Sequence, residues 1–196
     1  MEFPYQLVLL SIPSIWSLAV LRARGLTLHD AAERIGLAGT NLNALLLATL
    51  VAAVGAALVA VALIRVDPAV WHRPNVSLSR YAGMQLNTWG ILIILVREAL
   101  YVTLGEELLF RGVLGSWFTT RLGFLAGNTL QAACWVVPHL LLLTLSLKFL
   151  PVLVCQFALN WAFGWLRHHT GSVLPGWWAH SVINTVTAVV SILTLS

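Results

Sequence analysis

The sequence predicts an all-α fold, a polytopic transmembrane bundle of about six helical spans. Three observations carry this expectation. Hydrophobic residues make up 59% of the chain and charged residues 9%, whereas a soluble domain carries roughly 25% charge. Apolar runs of spanning length recur along the whole sequence. The basic residues fall mostly between those runs, as membrane-flanking charges do. A soluble core of this composition would leave too little polar surface to dissolve it. The net charge of +4 comes without a basic patch interleaved with aromatics, so nucleic acid is not an expected partner. The first expected partner is the lipid bilayer.

The elements follow in order. Phe3 to Leu21 is the first span, interrupted by Pro4 and Pro13. It lacks a preceding basic residue and a small-residue cleavage site, which argues against a signal peptide. Arg22, Arg24 and Arg34 follow it, placing the N-terminus outside by the positive-inside rule. Residues 25–41 read as a short interfacial amphipathic helix or a solvated connector, with Thr27 as N-cap and Asp30 three positions on. Leu42 to Ile64 is uncharged and is the clearest span. Arg65 to Tyr81 is a polar connector whose Trp71, His72 and Tyr81 suit the headgroup level. Leu86 to Phe118 is longer than one crossing needs, and Thr119 to Gly123 is a short link. Phe124 to Leu147, Phe149 to Leu166 and Ser172 to Leu195 complete the set, with a turn at Lys148 and a loop at Arg167–Gly171. The whole chain, 1–196, reads as one integral membrane domain, located in the cell membrane of a prokaryote. Cys134 and Cys155 lie in apolar runs and read as small core residues.

Several ionisable and polar residues break the apolar runs. Glu106, Glu107 and Arg111 share one predicted helix, His139 lies on the next, and His180 and Asn184 on the last. Such residues in a membrane usually face the bundle interior and pair with one another. A water-activating site needs these types: a carboxylate base, imidazoles and a hydrogen-bond donor for a developing oxyanion. Glu107 and Arg111 are four apart and share a helix face, so Arg111 can hold Glu107 as a charged pair. Glu106 is rotated from Glu107 by roughly 100° and is left outside that pair. His180 and Asn184 are also four apart. Singly, each fits a plain role: His139 as packing, His180 as an interfacial residue, Asn184 as interhelical glue, Glu107–Arg111 as a structural pair. Arg97 and Glu98 read as a structural ion pair.

The set resembles the CAAX-protease and bacteriocin-processing (CPBP, or Abi) family of glutamate-type intramembrane endopeptidases. Glu106-Glu107-x-x-x-Arg111 resembles its EExxxR motif, Trp135-x-x-x-His139 its FxxxH motif with Trp for Phe, and His180-x-x-x-Asn184 its HxxxN motif. The three occur in family order over residues 86–190, the expected protease core, and the first two spans carry no motif. The resemblance implies that Glu106 and His139 position and deprotonate a water. It implies that His180 and Asn184 stabilise the oxyanion and that Glu107 and Arg111 order the site. It also implies an active site inside the bundle, and as substrate a peptide or protein with a membrane-embedded or lipidated segment, or a secreted peptide. At Trp135 the departure concerns a packing aromatic.

Other chemistries fit less well. The only aspartates, Asp30 and Asp67, lie in connectors, which excludes an intramembrane aspartyl pair. There is no HExxH zinc motif, and Ser116 and Ser181 lack a nucleophile elbow. No cofactor is required, but a zinc-type metal held by Glu106, His139 and His180 stays open, because two histidines and a carboxylate are a familiar zinc set. Two rival functions are an inactive protease-like binding or immunity protein and a small transporter using Glu98 and Glu106 as an ion path.

Overall fold

The structure, a computed structural model, describes residues 4–66, 80–81 and 83–195. Its described elements are all helical: α1 Tyr5–Ala23, the short α2 Leu28–Arg34, α3 Leu42–Leu63, α4 over residues 88–122, α5 over 124–136, α6 Leu150–Thr170 and α7 Leu174–Leu195. Pro4 caps α1, and Pro13 sits inside it without ending it. The cap read at Thr27 is formed: its Oγ1 accepts from the Asp30 nitrogen at 3.1 Å and donates to Asp30 Oδ2 at 2.6 Å. That hydroxyl holds the exposed Asp30 carboxyl below the usual range.

Four stretches are long and apolar enough to cross a membrane: Tyr5–Ala23, Leu42–Leu63, Thr88–Thr144 and Leu147–Thr170. The third has 57 residues, more than twice the ~20 of one crossing. It breaks where the sequence places a link. Gly123, at φ 77° and ψ 169°, leaves the helix, in a backbone region that only glycine enters freely. The chain then runs α5 alongside the end of α4, with Gly127 against the Thr119 backbone. Counting that stretch twice and adding the 22-residue α7 gives six spans.

Polarity is arranged from inside to outside. Leu46, Leu50, Val54 and Leu58 form an exposed stripe on α3, suited to lipid. The interior holds Glu106, Glu107, Arg111, Asn128, Gln131, Asn160 and His180. Helix contacts are made by small residues, as membrane packing favours. Ala48 and Ala52 of α3 meet Phe163 of α6 and Ala179 and Ile183 of α7.

Three expectations are corrected. Tyr81 is 2% exposed rather than at a headgroup-level surface, because its hydroxyl reaches inward to bond the half-buried Glu98 carboxylate. Arg167–Thr170 is the last turn of α6, not a loop, and the cap is Gly171 in the left-handed region at φ 72°. Three basic residues suit the negative end of the helix dipole, so polarity there does not mean a break. His139 lies in a 3₁₀ stretch, Val137–Thr144, which begins beside Pro138. Proline has no N–H to continue the α-helical ladder. Trp71 and His72 lie outside the described residues.

Candidate active site

Helix α4 delivers both glutamates. Its turns widen to π-helix over Arg97–Leu104 and Leu108–Gly115, on either side of Gly105–Glu107; such widened turns are frequent at functional sites. Gly105 lets α1 approach: a Cβ there would lie 3.1 Å from Leu7 Cα. Close approach brings Gln6 of α1 to Glu106, donating from Nε2 to Oε1 at 2.5 Å. Farther along α1, Ser14 Oγ donates to the Leu108 carbonyl at 3.1 Å.

The two carboxylates have different surroundings. Glu107 is fully buried, and its Oε1 meets Arg111 Nη1 at 2.9 Å and His180 Nδ1 at 2.9 Å. Arg111 is buried in turn. Its Nη2 donates to Asn160 Oδ1, and its guanidinium lies 5.2 Å from the centre of the Phe163 ring. Gln131 Nε2 bonds the Asn160 carbonyl at 3.1 Å. Glu106 instead lines a cavity of about 600 Å³. Its Oε2 accepts from Trp135 Nε1 at 2.7 Å and lies 3.8 Å from His180 Nε2. Trp135 is therefore more than a packing aromatic, since a phenylalanine there could not donate to the carboxylate.

Glu106, His139, His180 and Asn184 all line this one cavity, so residues of all three motifs are brought together there. The His139 ring stacks on Trp135 with centroids 3.9 Å apart. Its Nδ1 is 3.0 Å from the Trp135 carbonyl oxygen. A carbonyl only accepts, so Nδ1 carries the proton and Nε2 keeps a free lone pair. His180 is stacked on Phe163 at 5.3 Å.

Glu98 was not expected here. It lines the same cavity, and its carboxylate oxygens accept from the Tyr81 hydroxyl and, at 3.1 Å, from Asn184 Nδ2. Burial and the Glu98 charge push the Tyr81 phenol up, so it stays a donor. The carboxylate also fixes the Asn184 amide, since it can take only the nitrogen side. Gln6, Glu98, Tyr81 and Asn160 are absent from the motifs. The available signal was a polar side chain in an apolar run, which is costly in a membrane unless it is partnered. For metal binding, no three His, Cys, Asp or Glu side chains among the described residues converge tightly enough to hold an ion.

A family model described as type II CAAX prenyl endopeptidase Rce1-like matches residues 87–186. The chain belongs to this family. The Rce1-like match takes in Glu98 and all seven motif residues, and it makes the chain a membrane-embedded peptidase. No curated protein and no solved structure matches the chain.

Proposed function

We propose that the chain is an intramembrane endopeptidase in which Glu106 activates a water to hydrolyse a peptide bond of a membrane-anchored or lipidated substrate. The reading rests on one observation above all. A buried carboxylate, hydrogen-bonded by Gln6 and Trp135 and not by the Arg111 guanidinium, opens on a 600 Å³ cavity that both motif histidines line. A water between Glu106 and the free Nε2 of His139 loses its proton to that pair as its oxygen attacks the carbonyl carbon. Electron density moves onto the carbonyl oxygen. His180 Nε2 and the second N–H of the Asn184 amide donate to it. Because Nδ1–H of His180 faces Glu107, Nε2 donates only in the imidazolium form. In that form Glu106, Glu107, Arg111 and His180 sum to zero charge. Collapse of the intermediate breaks the C–N bond, and the proton passes from Glu106 to the leaving amine.

Glu107 and Arg111 order His180 in this scheme, and Glu98 orders Asn184. Protein groups alone supply the base, so cleavage is expected to survive a chelator. We place the protein in the cell membrane of a prokaryote, with membrane fractionation as the check. The decisive experiment follows cleavage of a membrane-anchored peptide library by purified protein in liposomes. Activity in the wild type that vanishes in Glu106→Ala and His139→Ala is expected. Full activity in Glu106→Ala would remove the proposed base.

A further inference from the structure

A second cavity, of about 230 Å³, shares no lining residue with the first. Four segments build it. Arg34 comes from the end of α2, Ser116 and Thr120 from the end of α4, Gln131 from α5, and Arg167 and His168 from α6. Buried Arg111 also contributes to its wall. Among the described residues lining it, three are arginines and none is a carboxylate.

The polar groups here are not all satisfied. Arg111 Nε and Arg167 Nε are buried donors without a hydrogen-bond partner, and Gln131 Oε1 is a buried acceptor without one. Arg111 and Gln131 are each 1% exposed. Buried donors are seldom left unpaired, and each lone one is costly. Arg167 Nη2 reaches the carbonyls of Glu33 and Arg34 at 3.5 and 3.3 Å, which fixes its head at the cavity edge. The Arg34 side chain is exposed, while its carbonyl accepts from Ser116 and Arg167. His168 is stacked on Phe124 with centroids 4.2 Å apart.

The cavity lies at the end of the bundle where the α1 terminus carries Arg22 and Arg24 and where α6 ends in Arg167, His168 and His169. The geometry points to a binding site for a phosphate-bearing anion, separate from the peptidase cavity. Guanidinium groups match phosphate oxygens in pairs, hydroxyls of Ser116 and Thr120 add further partners, and a carboxylate-free wall does not repel the charge. A basic pocket between helices near the membrane surface is suited to an anionic lipid headgroup. Inorganic phosphate offers the same chemistry from solution.

The test uses the full chain in detergent, equilibrated with mixed phosphatidylglycerol and phosphatidylcholine vesicles and examined by native mass spectrometry. One phosphatidylglycerol retained per chain, at least tenfold over phosphatidylcholine, is expected. The double variant Arg34→Gln, His168→Asn removes two exposed side chains and should lower retention at least tenfold. Arg24→Gln, at the same end but outside the cavity, should leave it unchanged. Displacement of the lipid by millimolar phosphate supports the headgroup phosphate as the bound group. Phosphate binding that is lost in the double variant, without lipid retention, supports the site with the free anion as its occupant. Equal retention of the two lipids without phosphate binding, or an equal loss in Arg24→Gln, overturns the proposal.

Discussion

Replacing each of the adjacent glutamates by glutamine separates holding the site from working in it. Both substitutions keep the shape and remove one charge. Glu107→Gln leaves Arg111, itself 1% exposed, without the carboxylate 2.9 Å from its Nη1. Breaking a buried pair costs about 3–5 kcal/mol. The lower end applies here, because Asn160 still accepts from Nη2. About 3 kcal/mol is roughly a hundredfold in the folded-to-unfolded ratio. Glu106→Gln instead keeps its oxygen for Trp135 Nε1 and offers its amide nitrogen to Gln6, whose own amide can turn over to accept. Both hydrogen bonds survive and lose only their charge assistance, at about 1 kcal/mol. Unfolding in mixed micelles measures the two stabilities, and peptide cleavage measures the two activities. Glu107→Gln is expected to be the less stable by about 2 kcal/mol. Glu106→Gln is expected to be well folded and inert. Equal stability of the two variants would refute the assignment of Glu107 to the structural pair. Cleavage by Glu106→Gln would refute that of Glu106 to the base.

Trp135→Phe restores the family's own residue but deletes the donor to Glu106. A hydrogen bond to a charged group is worth about 1.5–3 kcal/mol, so kcat/KM should fall roughly ten- to a hundredfold, and an unchanged rate would show that the indole N–H has no role. Glu98→Gln lets the Asn184 amide turn over, because a glutamine oxygen and nitrogen can face it either way. The expected result is a lower kcat at unchanged KM, with no further loss when Glu98→Gln is added to Asn184→Ala; additive losses would separate the two residues. Gly105→Val places side-chain atoms where Leu7 Cα stands 3.1 Å from a Cβ. Overpacking of this kind costs about 1–3 kcal/mol; thermal unfolding and the rate should both drop, and a neutral result would mean that α1 is not held against the glutamates. Activity in excess chelator is expected to match the untreated enzyme, read in the same liposome cleavage assay.

Much of this architecture was legible in the residues themselves. Run length gave the six spans, and the short link read at Thr119 to Gly123 contains the break at Gly123. Spacing of four placed Arg111 on Glu107 and put His180 and Asn184 on one face. What spacing cannot give is a partner on another helix. Gln6 lies 100 residues from Glu106, and Asn160 lies 49 from Arg111. Nothing local distinguishes either from ordinary interhelical glue. Trp135 read as packing because an indole is large and apolar, and its N–H gains a meaning only when a carboxylate is placed against it. Glu98 read as the partner of Arg97, and nothing in local spacing points to Tyr81 and Asn184, which lie 17 and 86 residues away.

The chain of contacts from Asn160 through Arg111 and Glu107 to His180 crosses α6, α4 and α7. The leucine and alanine contacts around it tolerate sliding, since apolar packing is not directional. A slip of one residue moves a helix by about 1.5 Å and turns it by roughly 100°, which would strand every member of that chain in a medium without water. The same four side chains thus act as a registration pin for greasy helices that could otherwise settle in many alignments. An assembly error and a loss of the reactive geometry become one event.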